Sequence, residues 1–104
     1  WFSTDRDLAV ILADLHRLAG TDAGAELPAI LEANPGVPFA DDWDAVQFKG
    51  GSSVGVLAGA WLLEEGDRTY AIVVQLATDD VAQTPTMGEF ADLAVSSGSL
   101  LFDE

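Results

Sequence analysis

VGVLAGAWLL (residues 54–63), EEGDR (64–68) and TYAIVVQLA (69–77) together decide how this chain folds. The first and third runs are rich in valine, leucine and aromatic residues, and the polar stretch between them sets Gly66 where a hairpin needs a positive φ. Two antiparallel strands are therefore predicted. Both are apolar at nearly every position, Ile72-Val73-Val74 and Val56-Leu57-Ala58 included, which requires a sheet covered on both faces.

Working upstream, residues 45–49 read as a third strand, so the three form a meander. Between that strand and the next stands Phe48-Lys49-Gly50-Gly51-Ser52, read as a glycine-rich connection that carries the sole lysine of the chain. An ammonium buried between apolar strands is costly unless a carboxylate, a hydroxyl or an anionic ligand bonds it, so the segment is the first candidate for a site.

Helices are expected on either side of the meander. Thr4 caps Asp5-Arg6-Asp7, and Leu8, Ile11, Leu12, Leu15, Leu18 and Ala19 then recur at helical spacing until Gly20 closes the helix. A shorter helix is predicted over residues 25–33, with Pro28 in its first turn and Asn34-Pro35-Gly36 stopping it. Residues 37–44 form a loop. A last helix follows Thr84, with Pro85 at its first position, a Thr86-x-x-Glu89 capping box, and Met87, Phe90, Leu93 and Ala94 turned to the sheet. Gly55 and Gly59 are expected to let a helix approach the middle strand, and Leu100-Leu101-Phe102 to close an edge. The class is α+β, one structural unit of order ααβββα over 104 residues.

Eighteen acidic against four basic residues give a net charge of −14, which repels nucleic-acid phosphate and anionic membrane surfaces. No apolar run approaches the roughly 20 residues that span a bilayer. Without cysteine there is no disulfide, zinc-thiolate site or thiol nucleophile. The chain opens at Trp1-Phe2 with no charged segment before an apolar one, so no signal peptide is expected and the sequence reads as a piece of something longer.

The run Val46-Gln47-Phe48-Lys49-Gly50-Gly51-Ser52-Ser53-Val54-Gly55-Val56-Leu57, then Ala60-Trp61-Leu62 and Tyr70-Ala71-Ile72-Val73-Val74, resembles the C-terminal part of the class A-like serine β-lactamase and penicillin-binding-protein family. The opening Trp1-Phe2-Ser3-Thr4-x-x-Asp7-Leu8 resembles the helix start that precedes the motif there. In that family a helix leads into a strand bearing Lys-Thr/Ser-Gly, two antiparallel strands follow, and a C-terminal helix packs across the sheet. The resemblance implies that Lys49 is the strand lysine that bonds a site serine and attracts an anionic substrate group. It implies that Gly51 admits substrate close to backbone, and that Ser52, with Ser53 beside it, offers a backbone N–H to an oxyanion hole. Gly50 departs from the usual threonine or serine, whose hydroxyl helps hold the substrate carboxylate.

On this reading the chain is the C-terminal part of a serine hydrolase that cleaves a small amide or ester through an acyl-enzyme. It is inactive alone, because neither Ser-x-x-Lys nor Ser-x-Asn occurs. Its expected partner is the N-terminal part of the same protein, or a second copy, joined through an open strand edge at residues 69–77. An extracellular or periplasmic location goes with the family. No cofactor and no metal ion is called for. The alternative is a non-catalytic α+β binding module that acts through a sheet edge.

Other motifs carry less chemistry. Gly51-x-Ser53-x-Gly55 matches a nucleophile elbow in letters, but a strand follows it and the sole histidine, His16, precedes it. His16 is expected as a partly exposed helix residue. Asp41-Asp42-x-Asp44 and Asp79-Asp80 lack the glycine and distal glutamate of a calcium loop and are expected to be solvated. Of the aromatics Trp1, Trp43, Trp61, Phe48 and Tyr70, most belong to the core, and Trp43 is the candidate for lining a cleft.

Overall fold

The computed structural model describes residues 3–39 and 43–101. Helix α1 (Asp5–Ala19) is followed by a 3₁₀ turn (Asp22–Gly24) and the short α2 (Leu27–Glu32). Strands β1 (Ala45–Ser53), β2 (Val56–Glu65) and β3 (Arg68–Ala77) come next, then a second 3₁₀ turn (Val81–Gln83) and α3 (Met87–Leu101). The α+β order ααβββα and the antiparallel meander β1-β2-β3 are as the sequence predicts.

Turn chemistry sets the register. Gly66, at φ +60°, and Asp67 join β2 to β3 with glycine first, as in a type II′ turn, and the Asp44 carboxylate accepts a 2.7 Å hydrogen bond from the Gly66 N–H. The β1–β2 turn is Val54-Gly55, with Gly55 at φ +75°. Lys49 lies in β1 opposite Ala60 as the sequence predicts, but Gly50-Gly51-Ser52 is not a connection: the strand runs on to Ser53 opposite Val56. Partnership with β2 overrides the weak strand preference of two glycines and two serines.

Each face of the sheet is covered, as the apolar strands demand. On one face α1 and α2 lie over Gln47, Ala60, Leu62 and Val73, with Leu12 buried at the centre. On the other, α3 and residues 35–44 as far as they are described enclose Trp61, Leu63, Ile72 and Val74. Trp61 is fully buried, its indole N–H donates to the Pro35 carbonyl at 2.9 Å, and Phe48 stacks on it across the strands at 5.0 Å.

The helix faces differ from those expected. Ile11 and Leu18 of α1 are 52% and 40% exposed, and in α3 Met87 and Leu93 are exposed whereas Phe90, Ala94 and Gly98 meet the sheet. The cap of α3 is Thr86: its hydroxyl accepts from the Glu89 N–H, and Glu89 accepts from the Thr86 N–H. Thr84 instead ends the preceding turn, donating to the Val81 carbonyl. Gly55 meets the Thr78 carbonyl rather than a helix, and Gly59 faces the rings of Trp61 and Phe90. Leu101 ends α3 against the core, while Phe102 lies outside the described residues.

At the start of α1, Thr4 and Asp7 exchange bonds of 2.8 and 3.1 Å, the reciprocal capping box. The Thr4 backbone N–H, and then its side chain, hold the Asp7 carboxyl below its ordinary value. A carboxyl lowered on folding stabilises the native state above its unfolded pKa, about 3.9, and that contribution is lost as pH falls through the lower folded value. Protection of the first-turn amides of α1, taken relative to the intrinsic exchange rate at each pH, should fall on acidification through that range, and Asp7→Asn should be less protected at neutral pH with a flatter pH dependence. Equal exchange in the two proteins at neutral pH would show that the box does not hold the turn.

Candidate functional site

The site is the second half of β1. Side chains alternate across a strand, and Phe48 marks the α3 face, so Gly50 and Ser52 share that face while Lys49, Gly51 and Ser53 share the α1 face. On the α1 face, α2 packs on β1, where the buried Gln47 donates to Glu32 at 3.3 Å, and its Ile30 reaches as far as Lys49 and Gly50. On the α3 face, residues 35–39 and Trp43 cover the first half of the strand, with Gly36 against the Phe48 ring. From Gly50 to Ser53, α1 on one face and the start of α3 on the other stand off from the strand across clefts, and β1 has β2 on one side and no strand on the other among the described residues.

Two apolar clefts meet at this bare segment. One, of about 230 Å³, lies beside α1, walled by Leu8, Ile11, Leu12 and Leu15 and floored by Ala58 and Gly51, with Lys49 at its mouth. The other, of about 270 Å³, lies under the start of α3 between Phe48, Leu57, Met87 and Phe90, and is bounded by Gly50, Gly51 and Ser52. The two glycines separate them. Clefts this large can each hold one big apolar side chain, since a cavity of about 150 Å³ accepts a benzene ring.

Lys49 is exposed, not buried, and its ammonium donates 3.0 Å to the neighbouring Gly50 carbonyl. The desolvation argument for an anionic ligand therefore lapses. Ser52 and Ser53 are exposed at the end of the strand, and the side chains of Lys49 and Ser52 stand on opposite faces of it. Gly50 has a packing reason: a Cβ there would come within 2.4 Å of the Phe48 ring, leaving no space for the threonine or serine of the resembled motif. At Gly51 a Cβ would meet nothing within 4 Å.

Other candidates resolve elsewhere. Trp43 is buried in the core with its ring 5.8 Å from that of Tyr70, and it is not part of the walls of these two clefts. His16 is partly exposed and lies 3.3 Å from Glu64. Asp44 secures the β2–β3 turn, Asp80 caps the second 3₁₀ turn, and Asp41 and Asp42 lie outside the described residues. Among the described residues, no group of acidic and histidine side chains is placed to hold a metal ion, and no helix is long and apolar enough to cross a membrane.

Leu8, Ile11, Leu15 and Met87, which the sequence marks only as apolar helix positions, enter the site as walls of the clefts. The signal was present in α1, whose apolar stripe is wider than one contact with a sheet requires. No protein-family model matches the chain, and no curated protein matches it in sequence.

Proposed function

We propose that this chain is a binding module that takes up an extended segment of another polypeptide by adding it to the free edge of β1 alongside residues 50–53. The observation that carries this reading is the bare half-strand with an apolar cleft on each side. Strand addition draws affinity from main-chain hydrogen bonds and specificity from pockets that receive alternate side chains. Glycine removes the side chains that would otherwise shield such an edge. β3 is the other edge of the sheet, and α1 and α3 pack against that strand more than against β1.

A second reading is favoured by the position of Lys49 on an edge strand of a helix-flanked antiparallel meander. Here the chain is one wall of a β-lactamase-like serine hydrolase. Lys49 supplies positive potential, and the backbone N–H of Ser52 is an oxyanion donor beside Gly50, Gly51 and Ser53. The nucleophile then comes from other polypeptide, the N-terminal part of the same protein.

Lys49→Ala separates the two. Strand addition uses backbone and clefts, so the substitution should change partner affinity by no more than about twofold, the scale of one exposed charge. In the hydrolase reading, the parent protein gains the mass of a penicillin or fluorophosphonate adduct, and Lys49→Ala slows that acylation by about a hundredfold. Absence of an adduct with either reagent removes the second reading.

A further inference from the structure

We infer that the segment taken up at β1 carries two consecutive large apolar residues between basic flanks, a conclusion that rests on the edge reading of β1. Residues of an added strand that stand opposite one another share a face with their partners, and neighbours in sequence point to opposite faces. The residue opposite Gly51 therefore enters the cleft beside α1, and the residue opposite Gly50 enters the cleft under α3. A single-sided alternating pattern would fill one cleft and leave the other wet. Adjacent apolar residues fill both. Ile11 and Met87, 52% and 62% exposed at the two rims, are the side chains such a pair would cover.

Charge selects among occupants. A chain of net charge −14 with four basic residues attracts a cationic segment and repels an anionic one. It repels a second copy of itself for the same reason. A second copy paired antiparallel through β1 at Gly50 and Gly51 would also set glycine opposite glycine, leaving both clefts empty. The occupant is thus a cationic, extended segment of a different polypeptide. Lys49 stands at this edge and its ammonium holds the Gly50 carbonyl, so a strand that pairs there must displace it, an exposed bond that is weak enough to give up.

Three capped hexapeptides test the inference against the 104-residue protein: Lys-Thr-Leu-Phe-Thr-Lys, its isomer Lys-Leu-Thr-Phe-Thr-Lys, which sets both apolar residues on one face, and Glu-Thr-Leu-Phe-Thr-Glu. Affinity is read by titration and location by amide exchange at residues 50–53. The first peptide should bind and protect those amides. The isomer should bind about tenfold more weakly, because one apolar side chain stays in water. The acidic peptide should also bind more weakly, with the gap closing as salt is raised.

Gly51→Val supplies the control on folding. Its new side chain enters open space and fills the cleft beside α1, so it should weaken the first peptide by at least about tenfold while the melting temperature holds or rises. Equal affinity for the first peptide and its isomer, with protection at residues 50–53, would overturn the adjacent-pair rule and leave the edge reading standing. An acidic peptide that binds as well as the first would overturn the choice of a cationic partner. Exchange at residues 50–53 untouched by every peptide would overturn both the inference and the edge reading beneath it.

Discussion

Trp61→Ala is expected to remove about 3–5 kcal/mol of stability, a large share of the 5–15 kcal/mol that holds a typical domain together. The indole is fully buried and lies at the centre of a ring cluster, with Phe39, Phe48 and Phe90 at centroid distances of 5.9, 5.0 and 5.8 Å. Truncation leaves a cavity that α3, β1 and residues 35–39 cannot close together, because each contributes a different ring or backbone to its wall. It also deprives the Pro35 carbonyl of its donor. Trp61→Phe keeps part of the volume and loses the bond, so it should cost less, about 1–2 kcal/mol. Denaturant midpoints of the two variants measure both effects. A loss below about 1 kcal/mol for the alanine variant would mean that the core does not turn on this residue.

The effect should reach the candidate site. Phe48 stands directly opposite Trp61 in the β1–β2 register, and its ring stacks on the indole. That cross-strand pair pins the half of β1 that leads into Gly50 and Gly51. In Trp61→Ala, exchange along β1 should accelerate more than exchange along β3, whose side chains also pack under α1 and α3.

Which parts of this architecture were legible follows from where each residue takes its instructions. The start of α1 was legible because Thr4 and Asp7 satisfy one another locally, and the β2–β3 hairpin because Gly66 meets its turn without help from the rest of the chain. The length of β1 was not. Gly50, Gly51, Ser52 and Ser53 have turn composition, and only Ala58, Leu57 and Val56 across the ladder hold them extended. The buried face of α3 was legible at Phe90 and Ala94 but not at Met87 and Leu93: the helix is apolar on most sides, and the small Ala94 and Gly98 permit close approach to the sheet. The site itself was half legible. Lys49 to Ser53 stand out in the sequence as a lysine in a glycine-rich stretch, yet the feature that matters lies in what α1, α2 and α3 leave open, and no local pattern encodes an absence of cover.

Gly59→Val is expected to cost about 2–3 kcal/mol, which lowers the melting temperature of a domain this size by roughly 10–20 °C. Gly59 stands opposite Gly50 across β1 and β2, and together they form a window without side chains on the α3 face. Rings fill it from three directions. A Cβ at Gly59 would come within 2.4 Å of the Trp61 indole and 2.9 Å of the Phe90 ring, and one at Gly50 would reach the Phe48 ring. Valine favours strands elsewhere, so its local propensity predicts a gain and only the rings predict a loss. Ala58→Val is the matched comparison, because it lies one residue away on the other face, beside an open cleft, and should be nearly neutral. Similar melting temperatures for the two variants would show that Gly59 is not held by the aromatic cluster. A fall confined to Gly59→Val would mean that Gly59 is kept free of a side chain by the rings of Trp61 and Phe90 and not by any need of the strand itself.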